Sequence, residues 1–213
     1  MFMVKHILPF LIVTIIIAQE KYPADSLIKS NNTSFIKKIG LIPIAGWQRI
    51  SYNSNLFNCQ FYPSCSNYGA HSIKKYGFIK GGVIASERIT RCNPFAIYYH
   101  LELNRPFYDS DGRLIDPINQ VQIYNSKKSP LLSIFFSIIP GAGRMYSGRF
   151  LDGIMGMWTV YLHTRMAYVA AQNKQSFLTP LLVTVAGFSY LGEIYGAWRA
   201  SMYYQKEETN NDS

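Results

Sequence analysis

With 213 residues the chain has room for one or two modest domains. It is 48% hydrophobic and only 15% charged, and the apolar residues gather towards the two ends, which argues against an ordinary soluble globular protein and for a membrane protein. The formal net charge of +9 is also concentrated: from 29 to 91, nine basic side chains (Lys29, Lys37, Lys38, Arg49, Lys74, Lys75, Lys80, Arg88, Arg91) face one acid, Glu87.

In chain order, residues 1–18 begin with Lys5 and His6 and continue as an apolar run from Ile7 to Ala18, broken once by Pro9. That run is short of the about 20 residues needed to span a bilayer core. Followed by Gln19-Glu20-Lys21, it reads as a cleavable signal peptide, with an uncleaved signal anchor as the alternative. Residues 19–34 are polar and read as a linker, ending at Ser34, whose hydroxyl is placed to cap the next helix. From Phe35 to Ile50, Phe35, Ile36, Ile39, Ile42 and Trp47 alternate with Lys37, Lys38 and Arg49. The pattern suits either an interfacial helix with Trp47 at headgroup depth or an amphipathic core helix, and Pro43 is expected to kink it.

Three cysteines follow, Cys59, Cys65 and Cys92, and the chain has no others. They cannot all pair within one chain. Their spacing matches no standard zinc pattern and none of the four histidines completes one, so neither a metal nor a cofactor is expected. Pro63 ends a loop, Ser64 stands at a cap, and the run to Tyr76 has helical periodicity stopped by Gly77. A second helix is predicted from Ile79 to about Arg91, ended by Pro94. The pair would bring Cys92 near Cys59 or Cys65.

Trp47-Gln48-Arg49-Ile50-Ser51, Cys59-Gln60-Phe61-Tyr62-Pro63-Ser64-Cys65-Ser66-Asn67-Tyr68, Lys75-Tyr76-Gly77-Phe78-Ile79-Lys80-Gly81 and Arg88-Ile89-Thr90-Arg91-Cys92-Asn93-Pro94-Phe95 together resemble the bacterial membrane protein insertion efficiency factor (YidD) family. The family pattern has an aromatic-Gln-Arg-x-Ile-Ser segment, Cys-Arg-Phe-x-Pro-Thr-Cys-Ser-x-Tyr, a helix ending in Gly-x-x-x-Gly, and Arg-Cys-His-Pro-Phe. Gln60 and Asn93 stand where it has a basic residue and a histidine. Its Asp-Pro tail is displaced here to Asp116-Pro117. The resemblance covers about 45–95, within a domain read as 35–96, and implies a small, basic, inner-membrane-associated factor without enzymatic activity, working beside the insertion machinery on nascent membrane proteins.

Residues 97–129 read as a polar and aromatic connecting loop, in which Asp109-Ser110-Asp111-Gly112 is a turn, since it lacks the ligand spacing of a calcium loop. Ser64, Ser66 and Cys65 have neither the glycine-framed elbow nor the histidine context of a hydrolase nucleophile.

From 130 to 204 the chain reads as a membrane domain with two transmembrane helices, about 150–171 and 177–198, long enough to span with some tilt. Before them lies Pro-Gly-x-Gly-x-x-Tyr-x-Gly from Pro140, a pattern that resembles small TM2-like two-helix membrane domains. Gly141, Gly143, Gly148 and Gly153 would let this turn pack closely. Gly192 and Gly196 form a small-residue face for helix contact, within the hairpin or between chains. Asp152 and Glu193 are expected at similar depth, paired with Arg149 and Arg199, whereas His163 and Arg165 lie deeper without an evident partner. Residues 205–213 are a polar tail.

The expected fold is therefore mainly α: a small basic helical domain with three cysteines plus a C-terminal transmembrane helical hairpin. Lys37, Lys38, Arg49, Lys74, Lys75, Lys80, Arg88 and Arg91 form the expected membrane-surface patch, drawn to anionic headgroups at about 1 kcal/mol per side chain. The apolar flanks favour lipid over nucleic acid as partner. Topology is pulled two ways: Lys127, Lys128, Arg144, Arg149, Arg199 and Lys206 at the hairpin ends, against Lys174 at its turn, put the module in the cytoplasm of an inner-membrane protein, whereas a cleaved leader would export it. Three functions compete. An insertion factor leads; a membrane-tethered thiol or metal-binding protein of the cell envelope is the alternative; a channel through His163 and Arg165 is third.

Overall fold

The computed structural model describes residues 22–54, 58–118 and 128–203; the signal peptide or anchor at 1–18 and the tail at 205–213 lie outside them. The protein is mainly helical. A short helix α1 (Pro23–Lys29) precedes α2 (Phe35–Ser51), α3 (Cys65–Tyr76), α4 (Phe78–Arg91) and α5 (Ala96–Glu102). Two two-residue strands, β1 (Phe61–Tyr62) and β2 (Leu114–Ile115), pair in parallel with Phe61 opposite Leu114. The chain ends in α6 (Pro130–Phe136), α7 (Ala142–Tyr146), α8 (Phe150–Gln172) and α9 (Leu178–Tyr203).

The predicted stops and starts around the cysteines are local chemistry. The Ser64 hydroxyl accepts the Asn67 N–H at 3.3 Å and so caps α3. Gly77, at φ +86°, ends α3 and starts α4 in a conformation that a side chain disfavours. The two helices then cross at Gly81, where an added Cβ would lie 2.6 Å from the Ile73 backbone.

Three expectations need correction. The 19–34 linker contains α1, because Ala24, Leu27 and Ile28 make a short i, i+3, i+4 stripe that packs on Leu41, Ala45, Ala70 and Ile73. Ser34 stands at the N-cap of α2, yet its hydroxyl accepts no capping bond. Pro43 lies inside α2 on its exposed side, and burial of Leu41 and Ala45 on the opposite side offsets the roughly 3 kcal/mol an interior proline costs. Finally, the 97–129 stretch is not only a loop, since it supplies α5 and β2, although Tyr108 to Gly112 is the expected turn, closed by Gly112 N–H to Tyr108 O at 2.8 Å.

The larger surprise is how the two halves join. α4 packs on α9, with Gly82 against the Phe188 ring and Gly192 against Ser86 and Glu87. The small-residue face of α9 thus serves neither the α8–α9 pair nor a second chain: Gly192 receives α4, and Gly196 receives the Arg144 guanidinium from α7. Gly141, at φ +84°, and Gly153 meet each other's backbone, and Gly143 sits against Ser133 and Ser137, so the glycine-rich turn is folded tightly onto α6 and α8. Gly148 also takes a positive φ, +93°.

α8 and α9 are consecutive, packed helices with a short connection around Lys174. Among the described residues one helix, α9, is long and apolar enough to cross a membrane by length and composition. α8 has the length but not the apolarity, since it carries Asp152, His163 and Arg165. Many of the apolar side chains of both are exposed, among them Met157, Trp158, Leu162, Leu181 and Val183.

Candidate functional site

Part of the motif converges on one buried centre. Cys59 and Cys65 flank β1, and Cys92 is the residue that ends α4. Their sulfurs lie 3.4 Å (Cys59–Cys65) and 3.9 Å (Cys59–Cys92) apart, and all three fall within 4.8 Å of one another. All three are half-buried free cysteines, packed against Phe61, Ala96 and Leu114. Sulfur contacts with Cys65 and Cys92 pull the Cys59 thiol down, and the contact with Cys59 pushes the Cys65 thiol up.

Beside the sulfurs lies Arg88, fully buried, with its guanidinium between the rings of Phe61 (4.5 Å) and Tyr68 (4.3 Å). It donates to Asp116 Oδ2 at 3.1 Å and to Cys65 Sγ at 3.8 Å. Arg91 is buried too, donating to the same Asp116 oxygen at 2.8 Å and to Glu87. These two arginines were expected on the membrane-facing surface. They are inside because each has a carboxylate partner, without which burying a guanidinium costs several kcal/mol.

Asp116 is the hub. Besides Arg88 and Arg91 it faces Arg199 (3.3 Å) and Arg105 (3.6 Å). Burial alone would raise its carboxyl, but Arg91, Arg199 and Arg88 outweigh that and hold it well below the usual range. Glu87, also buried, is held at about 2 for the same reason: Arg91, Arg199 and Arg144 overcome desolvation. Arg144 chelates Glu193 through Nε at 3.0 and 3.1 Å, so Glu193 pairs with Arg144 and not, as expected, with Arg199, which turns instead to Glu87 and Asp116. The expected Arg149–Asp152 pair is present, and Asn93 joins it by donating to Asp152 Oδ1 at 2.7 Å. His163 has a partner as well, Ser189 of α9 at 2.6 Å, and Arg165 lies over the Tyr168 ring at 5.4 Å.

Other motif residues tie together the surrounding elements. Gln48 is fully buried and accepts the Ala24 N–H at 3.0 Å. Ser64 and Ser66 both meet the Tyr52 hydroxyl. Gln60 spans from β1 to Asn93 O at 2.8 Å and Cys92 Sγ at 3.8 Å. Asn93 Oδ1 accepts the Phe95 N–H across Pro94, and Pro63 leads into the Ser64 cap.

The outer surface of the same unit is different. On α2, Phe35, Ile36, Ile39, Ile42, Trp47 and Ile50 are all exposed, Ile36 at 70% and Ile42 at 60%. With 100° per residue they fall in a stripe roughly 140° wide, opposite the buried Leu41, Ala45 and Gln48. Phe78 lies against Gly40 of α2, so the exposed Ile79 and Lys80 begin α4 beside that stripe. Lys38 and Lys74 are half-buried and Lys75 is exposed. Lys37 is committed to the Lys74 carbonyl at 2.8 Å, and Arg49 to Asp25 at 2.8 Å.

Besides Asp152 and Glu193, Glu87 also carried a signal in the sequence, being the lone acid of the basic window and four residues before Arg91 on a helix. Arg105 and Arg144 carried none, because their partners are distant in sequence.

The YidD family model, described as "Putative membrane protein insertion efficiency factor", matches residues 36–99. Proteins of that same name are similar over this stretch. One from Oleidesulfovibrio alaskensis is 46% identical over 61 residues, 28% of this chain and 69% of that protein. One from Colwellia psychrerythraea is 43% identical over 65 residues, 30% and 79% of the two chains. One from Thermoanaerobacter pseudethanolicus is 42% identical over 60 residues, 28% and 87%. No solved structure matches. The Asp116, Arg144, Asp152, Glu193 and Arg199 side chains of the charged centre all lie outside the matched stretch.

Proposed function

This chain belongs to the YidD family of membrane protein insertion efficiency factors, and from that premise we propose that it assists insertion or folding of integral membrane proteins, without enzymatic activity, while held at the bacterial inner membrane. The observation that carries the reading is the bare apolar stripe of α2 on the family-matched unit, edged by Lys38, Lys75 and Lys80. Six large apolar side chains facing outwards on a 17-residue helix suit a lipid interface, with Trp47 at the headgroup level and the lysines towards anionic lipid.

α9 crosses the bilayer in this reading, with α8 beside it, as in the TM2-like two-helix proteins that the glycine-rich turn resembles. Lys128, with Lys127 and Lys206 in the flanking sequence, favours the cytoplasm for the open end and for the cysteine unit. The buried ion pairs then have a mechanical role. They tie α4, which carries the family motif, to the membrane helices, so that the α2 stripe is held at a set height relative to the anchor. Nascent membrane proteins and the insertion machinery are the partners that the unit would meet there.

Pulse-labelled cells depleted of the protein should insert reporter membrane proteins more slowly, and the rate should return on complementation. It should not return with a chain carrying Ile39→Glu and Ile42→Glu. Unchanged insertion kinetics on depletion would end this reading.

A further inference from the structure

We propose that Cys59, Cys65 and Cys92 form a three-thiolate site for one soft d10 cation, Zn²⁺ or Cu⁺. The sulfur triangle has the size this requires. With a metal–sulfur bond of about 2.3 Å, two sulfurs on a tetrahedral ion lie about 3.8 Å apart and on a trigonal one about 4.0 Å. The observed separations of 3.4 and 3.9 Å lie close to these values, and no pair is more than 4.8 Å apart. A disulfide would use two of the sulfurs and leave the third without a purpose, whereas an ion uses all three.

A second, separate feature points the same way. Each sulfur has its own N–H donor: the Cys65 backbone N–H on Cys59 at 3.2 Å, the Arg88 guanidinium on Cys65 at 3.8 Å and the Gln60 amide on Cys92 at 3.8 Å. Donors of this kind orient thiolate ligands and offset their charge around a bound metal. Three thiolates on Zn²⁺ leave one net negative charge, or two on Cu⁺, next to a centre where the four guanidiniums of Arg88, Arg91, Arg105 and Arg199 face the two carboxylates of Asp116 and Glu87. Thiolates select these soft ions over Mg²⁺, Ca²⁺ or Mn²⁺.

Among the described residues no further histidine, cysteine or carboxylate completes the group. Zn²⁺ would therefore take solvent or a partner's ligand at its fourth position, while Cu⁺ is satisfied by three. All three cysteines are half-buried, which leaves the ion a path in. The site would clamp the β1 loop to the end of α4 and displace up to three protons on binding. The long gap between Cys65 and Cys92 hides it from spacing rules.

The test uses the full chain in detergent, reduced and stripped with a chelator. It is titrated with Co²⁺ as the spectroscopic stand-in for Zn²⁺, and with Cu⁺ against a chromogenic chelator, and its thiols are counted by alkylation and mass spectrometry. One equivalent of either ion should bind per chain, with thiolate-to-metal charge-transfer absorption for Co²⁺, and all three cysteines should become protected from alkylation. Gln60→Leu should weaken binding by about 10-fold and Cys92→Ser by more than about 100-fold. Substoichiometric binding by the reduced chain, equal alkylation with and without ions, or unchanged affinity in Cys92→Ser would overturn the proposal. If Cys92→Ser does not fold, the alkylation counts on the unaltered chain decide alone.

Discussion

Replacing Asp116 by Asn removes one negative charge from beneath four guanidinium groups. Its carboxylate is 2% exposed and lies 3.1, 2.8, 3.3 and 3.6 Å from Arg88, Arg91, Arg199 and Arg105. At an effective dielectric of about 20, each contact near 3 Å is worth roughly 5 kcal/mol before desolvation is subtracted. Most of that gross attraction offsets the cost of burying the charges, but the arginines stay buried after the substitution and keep their share of the cost. Breaking a buried pair from one side costs about 3–5 kcal/mol. For a chain of this size each kcal/mol moves the melting temperature by about 2–4 °C, so Asp116→Asn should lower it by roughly 6–20 °C. Thermal unfolding followed by circular dichroism in detergent measures this, with Asp109→Asn, on the exposed turn, as the control. Adding Arg88→Met to Asp116→Asn should recover part of the loss, since Arg88 pairs with Asp116 and with no other carboxylate among the described residues, and the change removes that stranded charge. A shift within 2 °C of the unaltered chain, or no recovery in the double variant, would refute the idea that this carboxylate holds the centre together.

Acid should act on the same centre. Glu87 is held at about 2 against an ordinary value of 4.5, and Asp116 is also held low. Their stabilisation is therefore complete above the unfolded-state value and is lost as pH falls from about 4.5 towards 2, on the order of 3 kcal/mol for Glu87; a melting temperature independent of pH in that window would contradict it. Gly192→Leu should separate α4 from α9, since even a Cβ there lies 2.9 Å from Ser86 Oγ and 3.0 Å from Glu87 N. A loss of about 1–3 kcal/mol is expected, whereas Gly187→Leu on the same helix, with nothing within 4 Å, should be tolerated. Limited proteolysis of the pair of variants gives the comparison, and equal resistance would count against the packing. With Trp158 and Trp198 changed to Phe, Trp47 fluorescence should be quenched by brominated lipid in nanodiscs and released by Ile39→Glu with Ile42→Glu; an unquenched Trp47 would place the α2 stripe away from lipid.

The local sequence by itself determined the helices around the cysteines, the caps at Ser64 and Gly77, the turn at Gly112, the apolar stripe of α2 and membership of the family. Each of these depends on neighbours a few residues apart, and such neighbours can be read directly. Only the tertiary structure decided which charges are solvated. Arg88 and Arg91 read as surface cations because the carboxylate that allows their burial is Asp116, 28 and 25 residues away. Likewise Gly192 and Gly196 read as a contact between membrane helices until α4 and Arg144 are seen to fill them. The three sulfurs, whose two ends are 33 residues apart, meet because β1 pairs with β2 and α4 ends beside them. A charge or a thiolate can leave water only where a partner awaits it, and in this chain most of those partners come from distant segments.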